Sequence, residues 1–218
     1  MPDLPGHGAT PVCAELSLWQ LADALARLCR TLTEAPLVIG GYSMGGRIAL
    51  HVLIRHRAAL QAAVVLGASP GLADDAQRAT RRRDDDALAA RILAEPSEWF
   101  AEYWQRQPIF ATQHTLPPDV QAMIRAERLA CNRAGLATAL RNWGTGVQEN
   151  LLPPLSELDV PTLLLAGELD PKFCASNATL TALMPRSRLA IIPGAGHAAQ
   201  LEQPARFAAI VRRYLSEL

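Results

Sequence analysis

What this sequence lacks most plainly is an excess of either charge. Its 218 residues carry 21 Lys and Arg against 21 Asp and Glu, a formal net charge of zero with histidine neutral. No long-range field would draw in DNA, RNA or an anionic membrane surface, so neither nucleic acid nor membrane is expected as a partner. Cysteine is scarce. Cys13, Cys29, Cys131 and Cys174 stand far apart, with no CxxC pair and no Cys/His cluster at zinc-like spacing, so no metal is expected. They read as buried small hydrophobes in a reducing cytoplasm. No apolar stretch approaches the length needed to span a bilayer, and the opening "MPDLPGHG" has neither a basic start nor an apolar h-region. A cytoplasmic protein is expected. There is no internal repeat and no low-complexity tract.

What is present is a large apolar fraction, 50% of residues, enough for one sizeable core with an inserted subdomain. In "SLWQLADALARLCRTL", Leu18, Leu21, Leu25, Leu28 and Leu32 alternate in steps of three and four. That spacing predicts a helix from near Ser17 with one apolar face. "PLVIGG" (36–41), "AAVVLGASPG" (62–71), "VPTLLLAGELD" (160–170) and "SRLAIIPGAGH" (187–197) are short apolar runs ending in glycine or turn residues. Continuously apolar strands suit a parallel sheet covered on both faces. Helical patterns separate some of them: Gly45 to about His56, roughly Ala175 to Met184, and a last helix opening at Pro204 with Phe207, Ile210, Val211 and Tyr214 on one side. The alternation predicts an α/β fold with a mostly parallel sheet.

The stretch 72–150 breaks that rhythm. It is helix-like throughout, charged, and holds every tryptophan except Trp19. Nearly eighty residues is too long for a simple crossover, so 72–150 is expected to be a helical cap inserted in a core formed by 1–71 and 151–218.

Gly41-Tyr42-Ser43-Met44-Gly45 fits G-x-S-x-G between a strand and a helix. A small residue on each side of the serine lets the chain reverse sharply, leaving the hydroxyl above the sheet edge at a helix N-terminus. The motif alone is weak, so the partners matter. Asp170 follows the strand "TLLLAG", 127 residues after Ser43, and His197 comes 27 residues later after another strand. Serine, acid, histidine is the chain order that such a turn requires for a triad. His197 would take the Ser43 proton; Asp170 would fix its tautomer and stabilise the imidazolium. Glu168 is the alternative acid, and Asp159 reads as a turn residue. The backbone N–H of Met44 is the expected first oxyanion donor.

"DLPGHG", "GYSMGGR", "AGELDPKF" and "GAGHAAQLEQP" resemble the α/β-hydrolase superfamily from residue 3 to near the C-terminus. Within it, "SPGLADDAQRATRRRDDDALA", "WQRQPIF" and "NWGTGVQ" resemble the 2-succinyl-6-hydroxy-2,4-cyclohexadiene-1-carboxylate synthases of menaquinone biosynthesis. The resemblance implies an α/β-hydrolase fold, no cofactor, and a lyase that eliminates pyruvate from 2-succinyl-5-enolpyruvyl-6-hydroxy-3-cyclohexene-1-carboxylate without an acyl-enzyme. It also implies cationic clamps for a tricarboxylate, assigned to Arg47 and Arg81, since arginine's planar fork suits carboxylates. Arg82, Arg83 and Asp84 to Asp86 read instead as a solvated helix face. Tyr42 and Trp104 are expected to line the pocket, and Gln148 to contact substrate or shape a turn. Gln105 stands where such proteins often carry tyrosine. His7 is expected to close a loop beside the site; His51, His56 and His114 have no partner pattern and read as helix or cap surface.

The resemblance further implies upstream strands that this sequence does not contain, one supplying a second oxyanion N–H. The expectation is that Met1 is an internal methionine and the sheet is truncated at its N-terminal side. Two competing readings stay open, an esterase, thioesterase or lactonase on the same triad and a catalytically inactive scaffold. A monomer or weak homo-oligomer is expected.

Overall fold

The computed structural model describes residues 2–13 and 16–218, so the expectation about Met1 lies outside the described residues. In chain order the helices and strands are α1 (Leu18–Leu32), β1 (Leu37–Tyr42), α2 (Met44–Arg55), β2 (Leu60–Leu66), α3 (Asp75–Ala94), α4 (Ser97–Gln105), α5 (Pro118–Ala130), α6 (Arg133–Trp143), α7 (Leu152–Ser156), β3 (Thr162–Gly167), α8 (Pro171–Leu183), β4 (Ser187–Ile192), α9 (Ala199–Glu202) and α10 (Pro204–Ser216). They form two compact units. One comprises Leu18–Pro70 and Asn150–Leu218; the other comprises Gly71–Glu149 and the described residues up to Ser17.

The first unit is built on a four-stranded sheet of order β1-β2-β3-β4, parallel at every pairing. Each strand is a short apolar run because helices cover both faces. Ala63, Val65 and Leu164 turn to one face and pack with Leu50 and Leu53 of α2, Leu155 of α7 and Leu180 of α8. Ala62, Val64, Leu66, Leu163 and Leu165 turn to the other and meet Phe207, Ile210, Val211 and Tyr214 of α10. The period of two along each strand sorts the side chains between the two layers. α1 packs on α2 through Ala22, Ala26 and Val52.

Several expectations are corrected here. Leu28 and Leu32 are 42% and 76% exposed, because the buried stripe of α1 runs through Leu18, Leu21, Ala22 and Ala26 instead. Small alanines let α1 approach α2 closely, and the outer leucines stay in solvent. α8 starts at Pro171, earlier than the apolar pattern suggested, since Asp170 caps it by accepting the Phe173 N–H and proline suits the first helical position. None of the four cysteines is buried; Cys13 is exposed and the other three are half-buried, all as free thiols. His51 is 1% exposed, its ring 4.5 Å from that of Trp19 and its Nδ1 2.7 Å from the Arg47 carbonyl oxygen. His56 Nε2 lies 2.7 Å from Asp23 Oδ1, so it is a paired group between α1 and α2.

The second unit contains helices and no strand among its described residues. Asp74 caps α3 by accepting the Gln77 N–H, and Asn132 caps α6 by accepting the Gly135 N–H. Trp143, fully buried, donates its indole N–H to the Leu16 carbonyl at 2.7 Å, and the His7 ring lies 6.4 Å from the tryptophan ring. These contacts are why the described residues up to Ser17 group with the helices, whereas the sequence pattern assigned 1–71 to the sheet core. His7 helps close its own loop, with Nδ1 3.2 Å from the Pro5 carbonyl oxygen. No helix among the described residues is long and apolar enough to cross a membrane.

Leu164 is fully buried in the larger apolar layer. Leu164→Ala is expected to lower unfolding stability by about 2–5 kcal/mol, seen as a lower urea midpoint with an unchanged slope.

Candidate active site

Ser43 stands at the strand-to-helix junction of the sheet unit. β1 ends at Tyr42 and α2 begins at Met44; the single residue between takes φ 51° and ψ −112°. It is the only non-glycine residue at positive φ among those described, a conformation that costs on the order of 1–3 kcal/mol. The surrounding backbone enforces it: the Ser43 N–H donates to Leu66 O at 2.9 Å, and Ser43 O accepts the Arg47 N–H at 3.0 Å. A Cβ on Gly41 would lie 2.3 Å from Gly45 O, and one on Gly46 would lie 2.7 Å from the Ala68 Cβ. A Cβ on Gly45 would meet nothing within 4 Å. The close packing after the serine therefore falls on Gly46, one residue beyond the motif's second glycine.

Asp170 and His197 arrive at the same edge of the sheet, from the turns that follow β3 and β4. The Asp170 carboxylate divides its work. Oδ1 accepts the Phe173 N–H at 3.3 Å, which anchors the side chain to the first turn of α8, and Oδ2 faces His197 Nδ1 at 2.7 Å. His197 Nε2 is 3.1 Å from Ser43 Oγ. A carboxylate at Nδ1 demands the proton there, so the neutral ring presents its lone pair at Nε2 and the serine hydroxyl donates to it. Asp170 is 7% exposed and His197 2%. Low exposure strengthens the interaction between the carboxylate and any imidazolium that forms.

The imidazole is enclosed by other groups. The Tyr42 and Phe173 rings have centroids 5.1 and 4.8 Å from it. Gly67, at φ +57°, leaves space that a Cβ would close to 2.9 Å from His197 Cε1. Nearby, the Cys174 thiol donates to Gly167 O, and burial with the Asp170 and Glu168 carboxylates pushes its pKa up. That thiol stays protonated at neutral pH and does not compete as a nucleophile.

Glu168, the alternative acid in the sequence, accepts the Gly194 N–H at 2.9 Å and so braces the histidine loop. Met44 opens α2, where the first N–H groups of a helix have no carbonyl partner within it. Arg47 lies one turn along α2 from Ser43. Tyr42, Ser43, Met44, Arg47, Asp170 and His197 therefore share the sheet unit. A cavity of about 790 Å³ in that unit is lined by Arg57, Glu157, Arg186 and Tyr214, among others, at the opposite ends of the strands, and contains none of these residues.

Arg81, Trp104 and Gln148 lie in the helical unit. Arg81 donates from Nε to Asp85 Oδ1 at 2.8 Å, which fixes the plane of its guanidinium. Asp85 is 3% exposed, and its Oδ2 lies 3.4 Å from the Gly146 N–H. The run Asp84 to Asp86 is thus not uniformly solvated as expected; its middle carboxylate joins "RATRRR" to "GTG". Trp104 is half-buried, with ring centroids 5.5 and 5.9 Å from Phe100 and Phe110. Gln148 is fully buried, and its N–H donates to Gly144 O at 3.2 Å.

A parallel sheet with helices on both faces, a strained serine between strand and helix, and acid and histidine on later strand ends define an α/β-hydrolase type of protein. The chain belongs to the alpha/beta hydrolase fold family, which it matches over residues 1–204. More particularly, it is 36% identical over 219 residues to the 2-succinyl-6-hydroxy-2,4-cyclohexadiene-1-carboxylate synthase of Serratia proteamaculans, covering 98% of this chain and 81% of that one. The solved structure of MenH from S. aureus superimposes with a TM-score of 0.95 at 34% identity, covering 99% of this chain and 82% of that one. A thermophilic esterase from Thermogutta terrifontis gives 0.85 at 28% identity, covering 99% and 78%.

The contacts at the turn predict an asymmetry between its glycines. Gly41→Ala and Gly46→Ala are each expected to destabilise by about 1–3 kcal/mol, whereas Gly45→Ala stays within about 0.5 kcal/mol or gains stability from helix propensity. Urea unfolding of the three variants distinguishes them.

Proposed function

We propose that the chain is a 2-succinyl-6-hydroxy-2,4-cyclohexadiene-1-carboxylate synthase, a carbon–oxygen lyase of menaquinone biosynthesis. The observation that carries this reading is 36% identity to such a synthase across 98% of the chain, together with a continuous hydrogen-bonded path from Ser43 through His197 to Asp170. The substrate would be 2-succinyl-5-enolpyruvyl-6-hydroxy-3-cyclohexene-1-carboxylate.

In this reading His197 withdraws the Ser43 proton as Ser43 Oγ removes the proton beside the succinyl ketone. The C–H electron pair forms an enolate, whose oxygen the Met44 N–H stabilises. The conjugated system then expels the enolpyruvyl oxygen, breaking the ring C–O bond. The departing enolate takes a proton at carbon and becomes pyruvate, and the triad returns to its starting protonation. Asp170 keeps the imidazole in the required tautomer throughout. No acyl-enzyme, metal or cofactor enters the scheme.

A substrate with three carboxylates calls for fixed cations. Arg47 and Arg81 are assigned as clamps, with Tyr42, Trp104 and Gln148 as substrate-contacting residues. The segment 72–150 is read as a helical insertion in the chain of the core. The hydrogen bond from Arg81 Nε to Asp85 supports its part, because it aims the guanidinium while leaving the two terminal nitrogens for a carboxylate. A cytoplasmic location and a monomer or weak homo-oligomer complete the proposal.

A second reading, a serine esterase, is favoured by the structural likeness to the Thermogutta terrifontis esterase. There Ser43 would attack an ester carbonyl. The decisive assay is pyruvate release from the enolpyruvyl substrate by purified protein. Wild type is expected to release pyruvate, and Ser43→Ala to lose at least about 10³-fold in kcat. Arg47→Ala and Arg81→Ala are expected to raise KM by about 10- to 100-fold. Serine-dependent cleavage of simple esters without pyruvate release would establish the esterase instead.

A further inference from the structure

We propose that Glu202 is a positioning residue that holds His197 in register with Ser43; the inference rests on the triad reading above. Oε2 accepts the Gly196 N–H at 2.6 Å and Oε1 accepts the Ala198 N–H at 3.1 Å. These N–H groups belong to the residues immediately before and after His197. One carboxylate thus grips the histidine backbone from both sides.

The loop needs such a grip. It runs Pro193-Gly194-Ala195-Gly196-His197, and two glycines in five residues make its intrinsic conformational freedom large. Its earlier half is tied to the turn after β3, by Glu168 at Gly194 and by the Leu169 N–H donating to Ala195 O at 2.8 Å. Its later half is held at Gly196 and Ala198 by Glu202. The 3.1 Å between Nε2 and Ser43 Oγ lies toward the long end of a hydrogen bond. A small rotation of the loop would therefore disconnect the serine.

The chemistry of the grip selects a carboxylate. Two N–H donors need two acceptor oxygens on one side chain. Glutamine offers one oxygen and sets its NH₂ against the other N–H, so it keeps half the brace. Alanine keeps none. The position is set by α9, which opens just after Ala198 and whose Glu202 N–H donates back to Ala198 O at 3.0 Å, folding the side chain toward the loop it serves.

The test compares Glu202→Gln and Glu202→Ala with wild type, Ser43→Ala and His197→Ala, normalised to folded protein by circular dichroism. In pyruvate release, Glu202→Ala is expected to lose about 10²-fold in kcat, Glu202→Gln about tenfold, with KM within about twofold. A second readout needs no turnover: the low-field proton resonance of His197 Nδ1–H, held against Asp170, is expected to be lost in Glu202→Ala and retained in part in Glu202→Gln. A kcat for Glu202→Ala within about twofold of wild type, with Ser43→Ala inactive, overturns the proposal and leaves the triad standing. Unimpaired Ser43→Ala and His197→Ala variants overturn the triad reading instead. In that event, and wherever Glu202→Ala does not fold, the Nδ1 resonance decides: unchanged in the foldable Glu202 variants it removes the brace, diminished it supports it.

Discussion

The parallel register of four strands is the constraint on which the rest of this protein depends. Because β1, β2, β3 and β4 all run the same way, the turns that leave β1, β3 and β4 emerge at one edge of the sheet. Ser43, Asp170 and His197 each stand within a few residues of such a strand end. Residues separated by more than a hundred positions in sequence thereby come within hydrogen-bond reach, with no long loop having to search for its partner. The ladder is rigid because its strands are sealed on both faces by aliphatic side chains, and that rigidity is what lets distances near 3 Å persist.

The edge of the sheet is also where the molecule departs from local preference. Ser43 is forced to a positive φ, two acidic side chains are spent on backbone N–H groups of the histidine loop, and Asp170 serves a helix cap and an imidazole at once. Each departure is compensated by neighbours that are themselves well packed. Such a concentration of strain and polar bracing at one end of an otherwise apolar sheet fits a site where preorganised geometry does chemical work.

Much of this was legible in the chain. The four strands fall on the four apolar runs, and the order serine, acid, histidine around "GYSMG" pointed to Ser43, Asp170 and His197 before any geometry was known. Other features had no local signal. Glu202 lies in "HAAQLEQP", where a glutamate in a short helix looks like any solvated side chain, and Asp85 is one of three consecutive aspartates. Leu28 and Leu32 looked as apolar as Leu18 and Leu21, yet the close approach of α1 to α2 is made through alanines. The N-terminal segment, adjacent in sequence to a sheet-unit helix, is drawn to the other unit by Trp143.

By itself the sequence determined the class of fold and the strand positions and nominated Ser43, Asp170 and His197, because periodicity and turn chemistry are properties of residues near one another and chain order is read without geometry. Only the tertiary structure decided which glycine after the serine is sterically required, which of two acidic residues meets the histidine, and which carboxylates brace backbone or fix an arginine. Those outcomes depend on distances between segments far apart in the chain. Nothing in the local alternation of apolar and polar residues encodes them; they follow from where packing of the sheet and helices leaves each side chain once the core is formed.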